Sequence, residues 1–250
     1  MNARSIAFGG AALAICIVAS AIELRAQSPE NAAASYVEMG DKFARNGDYK
    51  LAIGAYNVAI DYAPRFAPAY FHRARAHESR GDLSLAIADY GKTVEIAPGC
   101  AEAYANRGYI FGQQQNEKNA LADWDAALAI HPKLTSVYYN RGSFFLNRGH
   151  LDQAIADFDK AIETDSRYAM AYNNRGIAKM GKGDIDGAIA DFRQAIKIMP
   201  DNPEAYTNLG LVRLQQGQVA EAEQNFTRSV ALRPSVKAFI DTRIAEIKQH

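Results

Sequence analysis

The 250-residue chain has little cysteine and no excess of either charge. Cys16 and Cys100 are by themselves too few for a disulfide framework or a four-ligand zinc site. Lys plus Arg and Asp plus Glu both number 28, so no charge-driven attraction to nucleic acid or anionic lipid is expected. Hydrophobic residues make up 48% and charged residues 22%, which is typical of a globular chain rather than a disordered one.

Complete catalytic and metal-binding motifs are also missing from the sequence. His72 and His77 are five residues apart, so they do not share the helix face that a metal-binding histidine pair needs. Residues 176–182 have the spacing of a phosphate-binding loop, but Gly183 stands where that loop requires Ser or Thr. We therefore expect no metal, no cofactor and no enzymatic activity.

The N-terminal segment, residues 1–26, has the pattern of a secretory signal peptide. Arg4 supplies a positive charge, and residues 5–22 then contain no charged side chain. Small residues precede two candidate cleavage points, after Ala21 and after Ala26. An uncleaved membrane anchor is the alternative, since about 20 apolar residues can span a bilayer. In either case we expect the chain to be exported, and its mature part stays close to neutral.

The rest of the chain repeats one pattern at a constant interval, the interval from Tyr36 to Tyr70, without an insertion. A Tyr, an Ala and a second aromatic residue recur in all six repeats: Tyr36, Tyr70, Tyr104, Tyr138, Tyr172 and Tyr206; Ala52, Ala86, Ala120, Ala154, Ala188 and Ala222; Tyr56, Tyr90, Trp124, Phe158, Phe192 and Phe226. A Gly recurs in five repeats, with Ala74 in the second, and a closing Pro recurs in five, with Ser166 in the fourth. These columns define the frames 33–66, 67–100, 101–134, 135–168, 169–202 and 203–236.

Each frame predicts a helical hairpin. In the fifth frame Tyr172, Gly176 and Lys179 lie on one face of a first helix, and Gly183 begins the turn. A second helix with apolar residues at helical spacing follows, and Pro200 ends it because proline lacks the amide donor. One hairpin cannot bury its apolar face alone, so the hairpins are expected to stack.

These columns resemble those of the tetratricopeptide repeat (TPR) family over residues 33–236. The resemblance implies an all-α fold, a right-handed α-solenoid of six 34-residue helical hairpins whose first helices line a concave groove. Residues 27–32 are interpreted as a short polar lead-in. The segment 237–250 is predicted to be a capping helix over the last apolar face, on the spacing of Phe239, Ile240, Ile244 and Ile247.

Arg and Asp occur together in the four middle repeats. The pairs are Arg73 with Asp89, Arg107 with Asp123, Arg141 with Asp157, and Arg175 with Asp191. Repeats one and six lack both partners. Because a partly buried guanidinium favours a forked acceptor, we predict ion pairs between the helices of one hairpin or of adjacent hairpins. A ligand-binding cluster of arginines is the alternative.

An Asn recurs at one position of four first helices, although Asn is mildly unfavourable inside a helix. By the resemblance this position lines the groove, where each amide can donate to and accept from a peptide backbone. Hydrogen bonding within its own repeat is an equally open interpretation. The predicted groove residues are Phe71, His72, Asn106, Tyr109, Tyr139, Asn140, Asn174, Ile177, Asn208 and Leu211.

The resemblance implies a non-enzymatic scaffold or adaptor that binds a peptide or helix of a partner protein in the predicted groove. The alternatives are a self-assembled oligomer, in which the groove receives the C-terminal helix of another copy, and an accessory factor in envelope or cell-wall assembly. The family's carboxylate clamp is incomplete, because Val37 and Asp41 occupy its first two places. No nucleic-acid partner is expected, and membrane contact is expected only through an uncleaved N-terminal segment.

The segment 154–158, Ala-Ile-Ala-Asp-Phe, together with Tyr-x-Asn-Arg-Gly looks like many bacterial chains of this family. We therefore expect a protein of a bacterial periplasm, or one anchored in the inner membrane and facing the periplasm.

Overall fold

The computed structural model describes residues 28–247, so the predicted signal peptide, residues 1–26, lies outside the described residues. Thirteen α-helices and one short 3-10 helix account for all the regular secondary structure of the described range. They form six helical hairpins and a C-terminal helix. The predicted fold class, an all-α chain of hairpins with a capping helix, is confirmed.

Of the described residues, 28–130 form one compact unit of three hairpins. Its helices are α1 (Pro29–Arg45) and α2 (Tyr49–Tyr62), α3 (Ala67–Arg80) and α4 (Leu83–Ile96), and α5 (Ala101–Gln113) and α6 (Glu117–Ile130). The two helices of each hairpin pack against each other, α2 packs on α3 and α4 packs on α5. Helix α1 begins at Pro29, where the Ser28 hydroxyl accepts a hydrogen bond from the Asn31 amide, so most of the expected lead-in is helical.

Residues 131–250 form the second unit, described to Ile247. It contains three hairpins, a 3-10 turn at Pro234–Val236 and a final helix. The helices are α7 (Thr135–Asn147) and α8 (Leu151–Thr164), α9 (Ala169–Gly181) and α10 (Ile185–Ile198), α11 (Pro203–Gln215) and α12 (Val219–Leu232), and α13 (Lys237–Ile247). Within this unit α8 packs on α9, and α10 on α11.

In five of the six hairpins a recurring glycine of the first helix lies against the recurring aromatic residue of the second. A Cβ atom added at Gly176 would lie 2.6 Å from Cε1 of Phe192, and one added at Gly210 would lie 2.5 Å from Cε1 of Phe226. The aromatic rings are themselves buried, with Phe192 fully inaccessible to solvent. In these hairpins the first helix approaches the second closely because the glycine leaves room for the ring.

The C-terminal helix covers the apolar end of the last hairpin. Ile240 is 2% exposed and packs with Leu211, Ala222 and Phe226, while Ile244 and Ile247 add to the same cluster from the edge. Phe239, expected on this face, is 54% exposed. Adjacent helical residues point about 100° apart, so Ile240 and Phe239 cannot face the same partner.

Gly176→Ala should destabilise the protein by about 1–3 kcal/mol, because the new methyl group would collide with a ring that has no space to retreat. Gly54→Ala is the matched control, since Gly54 also lies within a helix but has no atom within 4 Å of an added Cβ. That change should stabilise the helix by about 0.5–1 kcal/mol. Urea unfolding followed by circular dichroism measures both, and equal effects would contradict the packing account.

Candidate functional site

The predicted Arg–Asp pairs are present, and each joins the two helices of one hairpin. In all four pairs the Arg Nε donates to one carboxylate oxygen at 2.7–2.8 Å and Nη2 donates to the other at 2.6–2.7 Å. The four aspartates are 4–6% exposed. This forked geometry confirms the structural interpretation and leaves these arginines unavailable as a ligand-binding cluster.

Two of these arginines also reach the preceding hairpin. Arg73 Nη1 donates to Asn57 at 2.7 Å, and Arg175 Nη1 donates to Asp159 at 2.5 Å. The guanidinium of Arg175 lies 5.4 Å from the centre of the Tyr172 ring, one turn earlier on the same helix, and the other three pairs share this arrangement. One side chain thus holds together three helices.

Three of the four recurring asparagines donate a hydrogen bond to the preceding hairpin, which neither interpretation of the sequence anticipated. Asn106 Nδ2 donates to Tyr90 at 3.2 Å, Asn174 Nδ2 donates to Tyr139 at 3.3 Å, and Asn208 Nδ2 donates to Asn173 at 3.0 Å. Asn174 also accepts from Asn173 within its own repeat. These amides are therefore partly committed to the protein's own structure.

The other predicted groove residues differ in how far their side chains are exposed to solvent. Tyr109 on α5 is 41% exposed, whereas Asn140 on α7 and Ile177 on α9 are half-buried. Phe71 and the adjacent His72 on α3 are also half-buried, with their rings edge to face at 5.6 Å.

Leu211 was assigned wrongly to the open groove. It is only 5% exposed, because it packs against Phe226 and against Ile240 of the C-terminal helix. The C-terminal helix thus occupies the surface that Leu211 would otherwise offer.

A cavity of 380 Å³ in the second unit brings two of the predicted residues together. We call it the methionine cavity. Its lining residues are Tyr139, Met170, Asn173, Asn174, Met199, Asp201, Asn202, Pro203, Glu204 and Arg233. Met170 and Met199 are 42% and 40% exposed, and Arg233 pairs with Glu204 at the same cavity.

Sequence reasoning missed the two methionines of this cavity. Met170 lies on the helix face of Asn173, Asn174 and Ile177, a spacing that is visible in the sequence. Met199 lies in the connection after α10, where helical periodicity gives no signal.

A second cavity, of 350 Å³, lies in the first unit among α1, α2 and α3. We call it the arginine cavity. It is lined by Asp41, Ala44, Arg45, Tyr49, Tyr56, His72, Arg75, Ala76 and Ser79, and these include His72, one of the predicted groove residues. Within residues 28–247 there is no cluster of three or more potential metal ligands, and none of the helices is long and apolar enough to cross a membrane.

Comparison with known proteins identifies the repeat. Models of the tetratricopeptide repeat match residues 37–99, 135–168 and 203–236, and a model described as a TPR repeat matches residues 180–217. No curated protein matches the sequence.

Solved structures share the fold. The structure of the MamA protein is 26% identical with a TM-score of 0.61, covering 68% of this chain and 92% of that one. YrrB, described as a TPR protein with an unusual peptide-binding site, is 20% identical with a TM-score of 0.63, covering 78% and 98%. The APC/C hetero-tetramer Cut9-Hcn1 is 18% identical with a TM-score of 0.70 over 86% of this chain, which spans only 42% of that one. The last two likenesses show the fold alone.

Asp123→Ala should destabilise the protein by about 2–3 kcal/mol, because it leaves the partly buried Arg107 without its acceptor. Adding Arg107→Leu should recover part of that loss, since the sixth repeat stands without the pair and has Leu209 in the arginine's place. A double-mutant cycle from urea unfolding measures the coupling. Strictly additive single effects would show that the pair contributes nothing as a pair.

Proposed function

Because the chain carries tetratricopeptide repeats, we propose that it is a scaffold that binds a peptide or helix of a partner protein on the first helices of its hairpins. The observation that carries this proposal is the methionine cavity, where predicted groove residues adjoin two exposed apolar side chains.

The methionine cavity has the chemistry of a peptide site. Met170 and Met199 are flexible and polarizable, so they can adapt to apolar side chains of different shapes. Asn173 and Asn202 lie buried beside them, and the ion pair of Arg233 with Glu204 adds charge at the same cavity. An apolar contact surface with a few fixed polar groups is typical of sites that bury part of a ligand.

The hydrogen bonds of the asparagines change how the partner would be held. Asn174 already donates to Tyr139 and Ser143 and accepts from Asn173. A regular row of free amides along a peptide backbone is therefore not the main source of affinity. We propose instead that the methionines and the Tyr139 ring make the larger contribution, with weak dependence on salt because the contact is mostly apolar.

The main alternative, self-assembly through the C-terminal helix, is less well supported. In this chain α13 packs on its own α11, and Ile240 is almost fully buried there. For α13 to enter another copy, this contact would first have to open. YrrB, whose structure is described as having a peptide-binding site, offers an analogy at the level of fold.

The double variant Met170→Glu/Met199→Glu should lose the partner, because placing carboxylates against an apolar ligand imposes a desolvation cost. Both residues are well exposed, so folding should change by about 0.5 kcal/mol or less per site. Leu85→Glu is the matched control, since Leu85 is an apolar residue 53% exposed on a second helix of the first unit.

The readout is capture from envelope extract with quantitative mass spectrometry, followed by titration of each recovered protein against the three chains. The native chain and the Leu85→Glu chain should bind one partner equally, and the double variant should not. Retention by the double variant would place the binding surface elsewhere. Recovery of only further copies of this chain would replace the scaffold by self-assembly.

We further propose that residues 1–26 direct export to a bacterial periplasm, supported by the charge and hydrophobic pattern of that segment. The mature chain recovered from the envelope fraction should begin at Ile22 or Gln27 in N-terminal sequencing. Ile17→Asp should retain the chain in the cytoplasm, because it places a charge in the apolar run. Recovery of intact Met1 from the membrane fraction would favour the anchor instead.

A further inference from the structure

The arginine cavity contains one acidic side chain, and that side chain is already held by the protein. The Tyr56 hydroxyl donates to Asp41 Oδ1 at 2.8 Å, and His72 Nδ1 lies 2.7 Å from the same oxygen. Tyr56 is 1% exposed and fixed against Gly40, so this donor cannot turn away. The carboxylate of Asp41 is therefore part of the cavity wall.

The two arginines of the cavity, unlike Asp41, are not bonded to other side chains of the described residues. Arg45 and Arg75 make no ion pair and no side-chain hydrogen bond within residues 28–247. Arg73, two residues before Arg75 on α3, is fully engaged with Asp89 and Asn57. The cavity thus holds two unpaired guanidinium groups against one internally bonded carboxylate.

The electrostatic environment of Tyr56 reflects the proximity of both arginines. Burial and the hydrogen bond to Asp41 raise the pKa of the Tyr56 hydroxyl, while Arg75 and Arg45 both act in the lowering direction. Charges influence a titrating group in this way only at short range, because solvent screens distant ones. Arg45 and Arg75 line the same cavity as Tyr56.

We propose that the arginine cavity binds the carboxylate of an acidic side chain, Glu or Asp, of a protein partner through Arg45 and Arg75. The assignment deepens the proposed scaffold function and rests on it for the nature of the partner. A guanidinium presents donors in a planar fork that matches a carboxylate, and two such groups at one cavity favour a single anion between them.

The shape of the cavity favours a side chain over a bare ion. Its volume of 350 Å³ exceeds what a small anion needs, and Ala44 and Ala76 add apolar wall beside the polar groups. Methylene groups of Glu can pack on these methyls while the carboxylate reaches the arginines. Neither helix termini nor metal ions are required for this arrangement.

The test uses the blocked peptide acetyl-Gly-Glu-Gly-amide as the probe and the full chain, labelled with ¹⁵N, as the receptor. Nuclear magnetic resonance follows the Nε–H signals of Arg45 and Arg75 during the titration. We expect saturable shifts with a millimolar dissociation constant, weakened several-fold when NaCl rises from about 0.05 M to about 0.5 M, because exposed ion pairs are screened.

The controls separate charge from shape. Acetyl-Gly-Gln-Gly-amide should produce no saturable shift, and Arg45→Gln/Arg75→Gln should weaken binding of the Glu peptide by about tenfold. Arg65→Gln is the matched control, since Arg65 is exposed in the same unit but does not line this cavity, and it should bind like the native chain. Unchanged backbone signals elsewhere verify that each variant is folded.

Asp41→Asn should change the affinity for the Glu peptide in the direction opposite to that of the arginine double variant. Removing the resident negative charge should strengthen binding of the Glu peptide several-fold, whereas a purely structural disturbance would weaken it.

Three results would overturn the proposal: equal binding of the Gln peptide, undiminished binding to the double arginine variant, or a preference for acetyl-Gly-Gly-Gly with a free terminal carboxylate. The last would assign the cavity to a chain end. Failure here leaves the scaffold proposal standing if the native chain still captures a partner that Met170→Glu/Met199→Glu loses, so the two proposals fail separately.

Discussion

The close contact between a glycine of the first helix and an aromatic ring of the second is the constraint on which the hairpins depend. Where Gly142, Gly176 and Gly210 stand, an added Cβ would lie 2.5–2.9 Å from the ring beneath. This proximity brings the helices near enough for a forked Arg–Asp pair, whose charges would otherwise carry an uncompensated desolvation cost. The second hairpin has Ala74 at this position and still forms the Arg73–Asp89 pair, so one methyl group is tolerated above Tyr90.

Interactions inside the hairpins leave the exposed positions of the first helices free to differ. Arg107 and Arg175 bond to aspartates of their own hairpins, and Arg175 also bonds to the preceding hairpin. Since these contacts hold neighbouring hairpins together, the exposed residues of the first helices need not contribute to stability and can take part in binding a partner. In the first unit that surface includes unpaired arginines, and in the second it includes exposed methionines.

Much of the fold could be predicted from the sequence because its determinants recur. The six hairpins follow from columns that recur in all or nearly all frames, and the Arg–Asp pairs follow from their joint recurrence in the four middle frames. That the glycine lies against the aromatic ring of its own hairpin was not predicted. The candidate site was predicted less well because its residues are not periodic. Met199 lies between helices, and the partner of Asn208 is the non-recurring Asn173. Leu211 was misplaced because its position was treated alike in all repeats, although the predicted capping helix covers it in the last one.

The two cavities have different chemistry, and the difference bears on how a scaffold obtains affinity and specificity. Apolar contact at exposed methionines is adaptable and little affected by salt, so it favours binding without defining one sequence. The two guanidinium groups of the arginine cavity discriminate by charge, because a neutral side chain in the place of a carboxylate leaves their donors without an acceptor. The arginine cavity is the more selective element, since the guanidinium groups of Arg45 and Arg75 favour a carboxylate over a neutral side chain. Selectivity in this chain therefore depends on residues that do not recur between repeats, while stability depends on residues that do recur.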